Sequence, residues 1–208
     1  MLLAGPLATT AGAAARSTPP AQNKLQCFSG TADGYGYGGT CTLMGHGAKT
    51  TAILANSDNN SNGDYSGVYV NKSTLYGATL QSVTQLGYTY SGNITPTPGD
   101  LSLNIQINVS GVGPGNTSTD PYAYIDAAYC PGTLGLVNVI TDSTCGIYFL
   151  AGGPFANWAA LVSAYPNATI DSEGAIIVAE RTPGTLSATW TVSNVVFGQP
   201  GKPGKPGN

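Results

Sequence analysis

The segment Leu101-Ser-Leu-Asn-Ile-Gln-Ile-Asn-Val109 alternates apolar and polar residues over its whole length. Its odd-numbered residues are Leu, Ile or Val, and its even-numbered residues are Ser, Asn or Gln. Successive side chains of a β-strand point to opposite faces of the sheet. The alternation therefore predicts a strand with one face buried in a hydrophobic core and the other polar and solvated, as in an antiparallel sheet.

Similar short strands are predicted on both sides of this segment. They are separated by Gly, Asn, Asp or Pro, which is typical of strands joined by turns and loops. The predicted strands are 50–55, 65–70, 83–91, 101–109, 122–129, 174–179 and 189–197. Because no repeating helix separates them, we predict an all-β fold, a two-sheet antiparallel β-sandwich of the jelly-roll type with one short helix. A chain of 208 residues suits one such domain.

The single predicted helix has apolar residues at spacings of three and four. These residues are Phe155, Trp158, Leu161, Val162 and Tyr165. Asn157 is a suitable N-cap, and Pro166 follows the last turn. Two interpretations of Trp158 are open, burial in the core and an exposed platform for a ligand, and the helical spacing favours the core.

The cysteines and the low charge indicate an exported protein. Only 8% of the residues are charged, whereas about 25% is usual for soluble proteins. Disulfides persist in oxidising compartments, so the four cysteines are expected to be paired. Of the three possible pairings we favour Cys27–Cys41 and Cys130–Cys145, because each closes a short loop of about 15 residues, worth about 3 kcal/mol. We predict a secreted protein, extracellular or at the cell surface.

Charge and hydropathy argue against two classes of partner. The net charge of −3 leaves no basic surface for a phosphate backbone, so no nucleic acid is expected. The longest apolar stretches are about half of the roughly 20 residues that a transmembrane helix needs, so no transmembrane segment is expected. A zinc site and a serine–histidine hydrolase are also disfavoured, because His46 is the only histidine and no cysteine pair has the spacing of a zinc knuckle.

Both ends of the chain differ in composition from the middle. Residues 1–23 resemble the apolar part and cleavage region of a signal peptide followed by a linker, although the basic n-region is missing. A disordered Ala-rich tail is the alternative interpretation. Residues 198–208 form a Gly/Pro-rich, collagen-like tail, for which an extended single strand is favoured over a trimerising stalk. The predicted β-sandwich domain is 24–197.

The segment 58–64 has the pattern of the first half of a calcium loop. Asp58, Asn60 and Asn62 supply oxygen atoms at the first, third and fifth positions, glycine follows, and Asp64 comes next. The twelfth position is Tyr69 instead of a bidentate glutamate, so any Ca2+ would bind weakly. A polar hairpin turn is the alternative, and Asn-Gly followed by Asp favours it.

Three pairs of tyrosines lie two residues apart, so each pair shares one face of an extended segment. The pairs are Tyr35 and Tyr37, Tyr88 and Tyr90, and Tyr122 and Tyr124. Sugars pack their apolar faces on aromatic rings while polar side chains bind their hydroxyls, so these faces suit a polysaccharide or a cell-surface glycan. We predict ligand contacts by Tyr88, Tyr90, Tyr122, Tyr124 and Asp126. Asp126 is included because it lies two residues after Tyr124 and so shares the face of Tyr122 and Tyr124. Packing within the sheet is the alternative role for the tyrosines.

Glycosidase chemistry needs two carboxyl groups across one cleft. Glu173 and Glu180 are the only glutamates, and they have opposite parity, so they would lie on opposite faces of a strand. Asp126 remains a candidate acid, but few acids could partner it. Enzymatic activity is therefore left open, with a non-catalytic protein favoured.

Five segments resemble a group of secreted proteins of actinobacteria and similar soil microbes. They are Tyr37-Gly-Gly-Thr-Cys41, Gly67-Val-Tyr-Val-Asn71, Leu86-Gly-Tyr-Thr-Tyr90, Tyr122-Ala-Tyr-Ile-Asp126 and Asn157-Trp-Ala-Ala160. The resemblance spans about 27–197 and implies a jelly-roll sandwich and export. It implies no catalytic or binding residue, because that group has no assigned function.

The sequence thus predicts a secreted, non-catalytic binding or surface module, with carbohydrate as the favoured ligand. Two alternatives stay open. One is a structural, self-associating extracellular or cell-surface protein, and the other is a glycan-active hydrolase or lyase.

Overall fold

A computed structural model describes residues 24–29, 39–46, 49–56, 64–71, 75–110, 120–132, 135–171, 176–181 and 187–198. The predicted leader and linker, 1–23, lie outside these residues, and so does the predicted tail beyond Gly198. The strands are β1 (Lys24–Ser29), β2 (Thr40–Met44), β3 (Thr51–Asn56), β4 (Asp64–Asn71), β5 (Gln85–Gly92), β6 (Leu101–Asn108), β7 (Tyr122–Asp126), β8 (Leu136–Asn138), β9 (Ile147–Phe149), β10 (Gly153–Phe155), β11 (Thr169–Ile170), β12 (Ile176–Arg181) and β13 (Ala188–Gly198). The helix α1 is Trp158–Ala164.

The strands form two antiparallel sheets. The large sheet has the order β1-β4-β12-β6-β7-β9-β10, with β11 paired to β6, and the small sheet has the order β2-β3-β13-β5-β8. Eight of these strands, β3 to β8, β12 and β13, can be renumbered 1 to 8 in chain order. The small sheet then contains the order 1-8-3-6, and the large sheet contains the order 2-7-4-5. Each odd-numbered strand and its successor lie in opposite sheets, which is the connectivity of a jelly roll. The predicted fold class is confirmed.

The core lies between the two sheets. Its largest fully buried side chains include Trp190 in the small sheet and Phe149 in the large sheet. On β6 the odd-numbered residues from Leu101 to Ile107 are at most 1% exposed, as the alternation predicts.

The polar face of β6 is only partly solvated, which differs from the prediction. Gln106 is 8% exposed and Asn108 is 4% exposed. The short strand β11 pairs with this end of β6, with Thr169 opposite Asn108. Asn108 accepts hydrogen bonds from the backbone N–H and the hydroxyl of Ser110, at 3.0 and 2.7 Å. Such local bonds let a polar side chain be buried at low cost.

Both predicted disulfides are present. Cys27 on β1 is bonded to Cys41 on β2, with 14 residues of sequence separation. Because β1 is an edge strand of the large sheet and β2 an edge strand of the small sheet, this bond joins the two sheets along one side of the sandwich. Cys130, after β7, is bonded to Cys145, before β9.

The helix forms where its periodicity predicts. The Asn157 side chain accepts a hydrogen bond from the backbone N–H of Ala160 at 3.0 Å, which caps the first turn. Trp158 is 5% exposed and Leu161 is fully buried, so the core interpretation of Trp158 is confirmed and the exposed platform is wrong. Within the described part of the chain, no helix is long and apolar enough to cross a membrane.

Strand β7 ends earlier than predicted. It stops at Asp126, because the Asp126 carboxylate accepts the backbone N–H of Ala128 and caps a single 3-10 turn, Ala127–Tyr129. Six short or edge strands, β1, β2 and β8 to β11, were not predicted. Most of them have too few residues for a period of two to stand out.

Candidate functional site

The outer face of the large sheet carries Tyr122 and Tyr124. On β7 the alternate residues Ala123 and Ile125 are fully buried against the core, so the two tyrosines point away from it. Their ring centroids are 6.0 Å apart and their planes are inclined by 37°. The sequence predicts this pair, and the structure places both half-buried rings side by side on the outer face of the sheet.

The neighbouring strands add an amide and a third tyrosine. Asn104 on β6 lies opposite Tyr124 on one side, and Tyr148 on β9 lies opposite it on the other. Tyr148 is 56% exposed. We call Asn104, Tyr122, Tyr124 and Tyr148 the β7 cluster. Sequence reasoning missed Asn104 and Tyr148, because only the strand register brings them beside Tyr124.

The two amides on this part of β6 differ in their hydrogen bonding. Gln106 donates through its side-chain nitrogen to the backbone carbonyl of Asp120 at 3.4 Å and is nearly buried. The side-chain oxygen of Asn104 has no donor among the described residues, although it lies beneath the surface of the cluster. An acceptor without a donor is costly to bury, so a ligand or water hydroxyl would stabilise it.

Tyr88 and Tyr90 do not join this surface. They lie on β5 of the small sheet, with ring centroids 6.1 Å apart. Tyr88 is 1% exposed, and Tyr90 is half-buried against the same core. Of the five predicted ligand contacts, the structure therefore brings together only Tyr122 and Tyr124 on an accessible face.

Asp126 has a structural position at the end of β7. It is 8% exposed, and its carboxylate accepts the backbone N–H groups of Ala128, at 2.9 Å, and of Gly99. Burial raises the pKa of Asp126; the two backbone donors oppose the shift, and the nearby charge of Asp100 adds to it. The carboxylate joins the turn after β7 to the loop before β6, so its oxygens are used within the protein.

The buried phenol of Tyr88 lies within electrostatic reach of Asp126. Burial raises the pKa of Tyr88 well above its usual value, and the charges of Asp126 and Tyr90 raise it further. The Tyr88 hydroxyl has no hydrogen-bond partner among the described residues. This is an unsatisfied polar group inside the core.

The predicted calcium ligands Asp58, Asn60 and Asn62 lie outside the described residues. Asp64 begins β4, where its backbone is in register with Arg181 of β12. No group of three or more His, Cys, Asp or Glu side chains that could hold a metal ion occurs in the described ranges. Calcium binding stays a prediction.

The structure describes the side chain of only one of the three predicted candidate acids, Asp126. Glu180 is in β12, in register with Tyr65, and Glu173 lies outside the described residues. His46 is exposed in the turn that follows β2. The third candidate, Asp126, has Asp100 as a nearby acidic neighbour, and both side chains are nearly buried.

A shallow pocket of about 290 Å3 lies beside β8 and is lined by Gly132, Leu136, Asn138, Thr141 and Asp142. The Asp142 carboxylate accepts the backbone N–H and the hydroxyl of Thr144, at 2.9 and 2.6 Å. These bonds lower the pKa of Asp142. Since the acidic group is already bonded in its own turn, we assign this pocket no ligand.

No protein-family model, no curated protein and no solved structure matches the chain. The fold defines the class of protein as a jelly-roll β-sandwich. The resemblance to secreted actinobacterial proteins stays a prediction. Any function must therefore be argued from the chemistry of the faces and loops of this sandwich.

Proposed function

We propose that the protein is a secreted, non-catalytic carbohydrate-binding module and that the β7 cluster contacts the sugar. The observation that carries the proposal is the half-buried Tyr124 on the outer sheet face, between the Asn104 amide and the exposed ring of Tyr148. The C–H faces of a sugar ring pack on aromatic rings, and amides exchange hydrogen bonds with its hydroxyls.

The position of the cluster supports this function. Its residues lie on three hydrogen-bonded strands whose opposite face is packed in the core, so the backbone below the rings is rigid. A rigid site loses little conformational entropy on binding. Asn104 also has an acceptor oxygen for which a sugar hydroxyl can supply the donor.

Two further features agree with the proposal. The disulfides are compatible with an extracellular protein, where polysaccharides and cell-surface glycans occur. Asp126, the acid next to the cluster on β7, is nearly buried and accepts two backbone N–H groups. It is therefore poorly placed to protonate a glycosidic bond, which favours binding over hydrolysis.

Retention on insoluble and arrayed uncharged polysaccharides tests the proposal. We expect the oxidised protein to be retained selectively, and Tyr124→Ala or Tyr148→Ala to weaken retention by about tenfold or more. Tyr76→Ala is the matched control, because Tyr76 is 46% exposed in the turn after β4 and is not a member of the cluster. Equal retention of Tyr124→Ala and wild type would contradict the proposal.

The same assay separates the alternatives. One arm contains Ca2+ and the other EDTA; loss of retention in EDTA would support a calcium site at 58–64. Sedimentation of the free protein measures self-association. If no polysaccharide retains the protein while it self-associates in solution, the structural-protein alternative replaces our proposal. Release of soluble sugar from the retained polysaccharide would instead show a hydrolase or lyase.

A further inference from the structure

Three residues of the β7 cluster, Asn104, Tyr124 and Tyr148, belong to a longer row of residues across the large sheet. The strand registers align one residue from each of seven adjacent strands, in the order Gln26, Tyr69, Ile176, Asn104, Tyr124, Tyr148 and Pro154. Tyr69, Asn104 and Tyr124 lie on the outer face, because the residues next to them along each strand are buried in the core. The row runs perpendicular to the strands, from β1 to β10. Its length is about 29 Å, since neighbouring strands are about 4.8 Å apart.

A second group of aromatic rings surrounds Tyr69 at the other end of this row. The ring centroid of Phe28 on β1 is 6.4 Å from that of Tyr65 and 6.5 Å from that of Tyr69, both on β4. These rings are half-buried. We call Phe28, Tyr65 and Tyr69 the β4 cluster.

Two local contacts hold the β4 cluster in place. The Tyr69 hydroxyl donates to the side-chain oxygen of Gln26, its neighbour in the row. The Phe28 ring lies directly over Gly67, whose missing side chain leaves the space that the ring occupies. The orientation of the rings is thus set by the protein before any ligand binds.

The two clusters are too far apart to contact the same sugar ring. Tyr69 and Tyr124 are separated by three strand spacings, or about 14 Å. Tyr69 and Tyr148 are separated by four strand spacings, or about 19 Å. A ligand that contacts both must have several sugars in line. A chain laid along the row from Tyr69 to Tyr124 would pass over the Asn104 amide of the β7 cluster.

The chemistry of the row indicates the kind of chain. Each residue type in it is uncharged at neutral pH, so the row itself supplies no cationic side chain for uronate or sulfate groups. Aromatic rings at both ends suit sugars with flat C–H faces, which equatorially linked hexoses or pentoses present repeatedly along a ribbon.

We propose that this face binds an internal segment of a linear, uncharged polysaccharide that crosses the strands and contacts both the β4 cluster and the β7 cluster. This inference rests on the proposed function, because it assumes that the β7 cluster binds sugar. It adds a second binding region, the direction of the chain and the class of polysaccharide.

Binding of an oligosaccharide series tests the inference. Calorimetry would be run on the full oxidised chain with β-1,4-linked gluco-, manno- and xylo-oligosaccharides from disaccharide to hexasaccharide. We expect at least one series whose affinity rises about tenfold or more with length. Tyr69→Ala should remove that gain with length, whereas Tyr124→Ala should weaken binding of every oligosaccharide, including the disaccharide.

Controls keep the outcomes distinct. Tyr69→Leu retains apolar bulk without the flat ring and is expected to behave as Tyr69→Ala does, which guards against a folding defect. Tyr76→Ala should match wild type. If the disaccharide binds as tightly as the hexasaccharide, and Tyr69→Ala changes neither, the two-cluster inference is overturned and the proposed function stands. If none of the three series binds and no uncharged polysaccharide retains the protein, the proposed function fails together with the inference.

Discussion

Substitution of Tyr88 by Phe is expected to stabilise the protein. The Tyr88 side chain is 1% exposed, and its hydroxyl has no hydrogen-bond partner among the described residues. A hydroxyl buried without a hydrogen bond costs about 1–3 kcal/mol in protein mutational data. Phe keeps the ring and its packing and removes only this oxygen, so no large cavity forms.

We expect the free energy of unfolding to rise by about 1 kcal/mol, near the lower end of that range, because the space left by the oxygen loses some contacts. For a domain of this size, the corresponding rise in Tm is about 2–4 °C. Urea unfolding of the oxidised protein, followed by tryptophan fluorescence, measures the change. Retention on polysaccharides should not change, since Tyr88 lies in the core and away from both clusters.

Tyr90→Phe is the matched control on the same strand. Tyr90 is half-buried, so loss of its hydroxyl should alter stability by less than about 0.5 kcal/mol. A decrease of about 1 kcal/mol or more in the free energy of unfolding of Tyr88→Phe would refute the reasoning. It would mean that the hydroxyl is bonded in solution, with the Asp126 carboxylate as the nearest charged candidate.

Two further predictions concern Asp126 and the inter-sheet disulfide. Because the pKa of Asp126 is raised in the folded protein, the native state binds the carboxyl proton more tightly than the unfolded state does. Protonation of Asp126 therefore stabilises the fold below the unfolded-state pKa, and this stabilisation is lost as the pH rises through the folded-state pKa. Asp126→Asn does not titrate, so the wild type should gain stability relative to this variant as the pH is lowered from 7 towards 4, measured by urea unfolding at each pH; a constant difference would contradict the shift. The double substitution Cys27→Ser and Cys41→Ser should lower the free energy of unfolding by about 3 kcal/mol, because it opens a loop with 14 residues of separation. Chemical unfolding measures the loss, and a change below about 1 kcal/mol would show that strand pairing alone holds β1 and β2 in place.

The fold was largely predictable because its strongest signals are local. The alternation of Leu101–Asn108 reports directly which residues face the core, and the helical spacing around Trp158 does the same for α1. The pairing of Asn108 was not predictable, since its partner strand is β11, which has two residues and is distant in sequence. Local periodicity cannot report which strand covers another.

The candidate site was predictable only in part for the same reason. Parity on one strand is enough to place Tyr122 and Tyr124 on the same face. It does not determine which sheet a strand joins or which of its faces packs in the core. Tyr88 and Tyr122 therefore have the same local sequence pattern, although Tyr88 is buried in the core and Tyr122 lies on an outer face. Asn104, Tyr148 and Tyr69 become neighbours in one row only through pairings between distant strands.

The Cys27–Cys41 bond also sets the route by which tension would travel through the molecule. A pull on the chain ahead of β1 reaches Cys27, the fourth residue of that strand, and then passes through the sulfur atoms to Cys41 on β2. The loop between the two cysteines bears none of it. The load therefore reaches both sheets at once, so β1 cannot separate from the large sheet residue by residue while the rest of the sandwich stays intact.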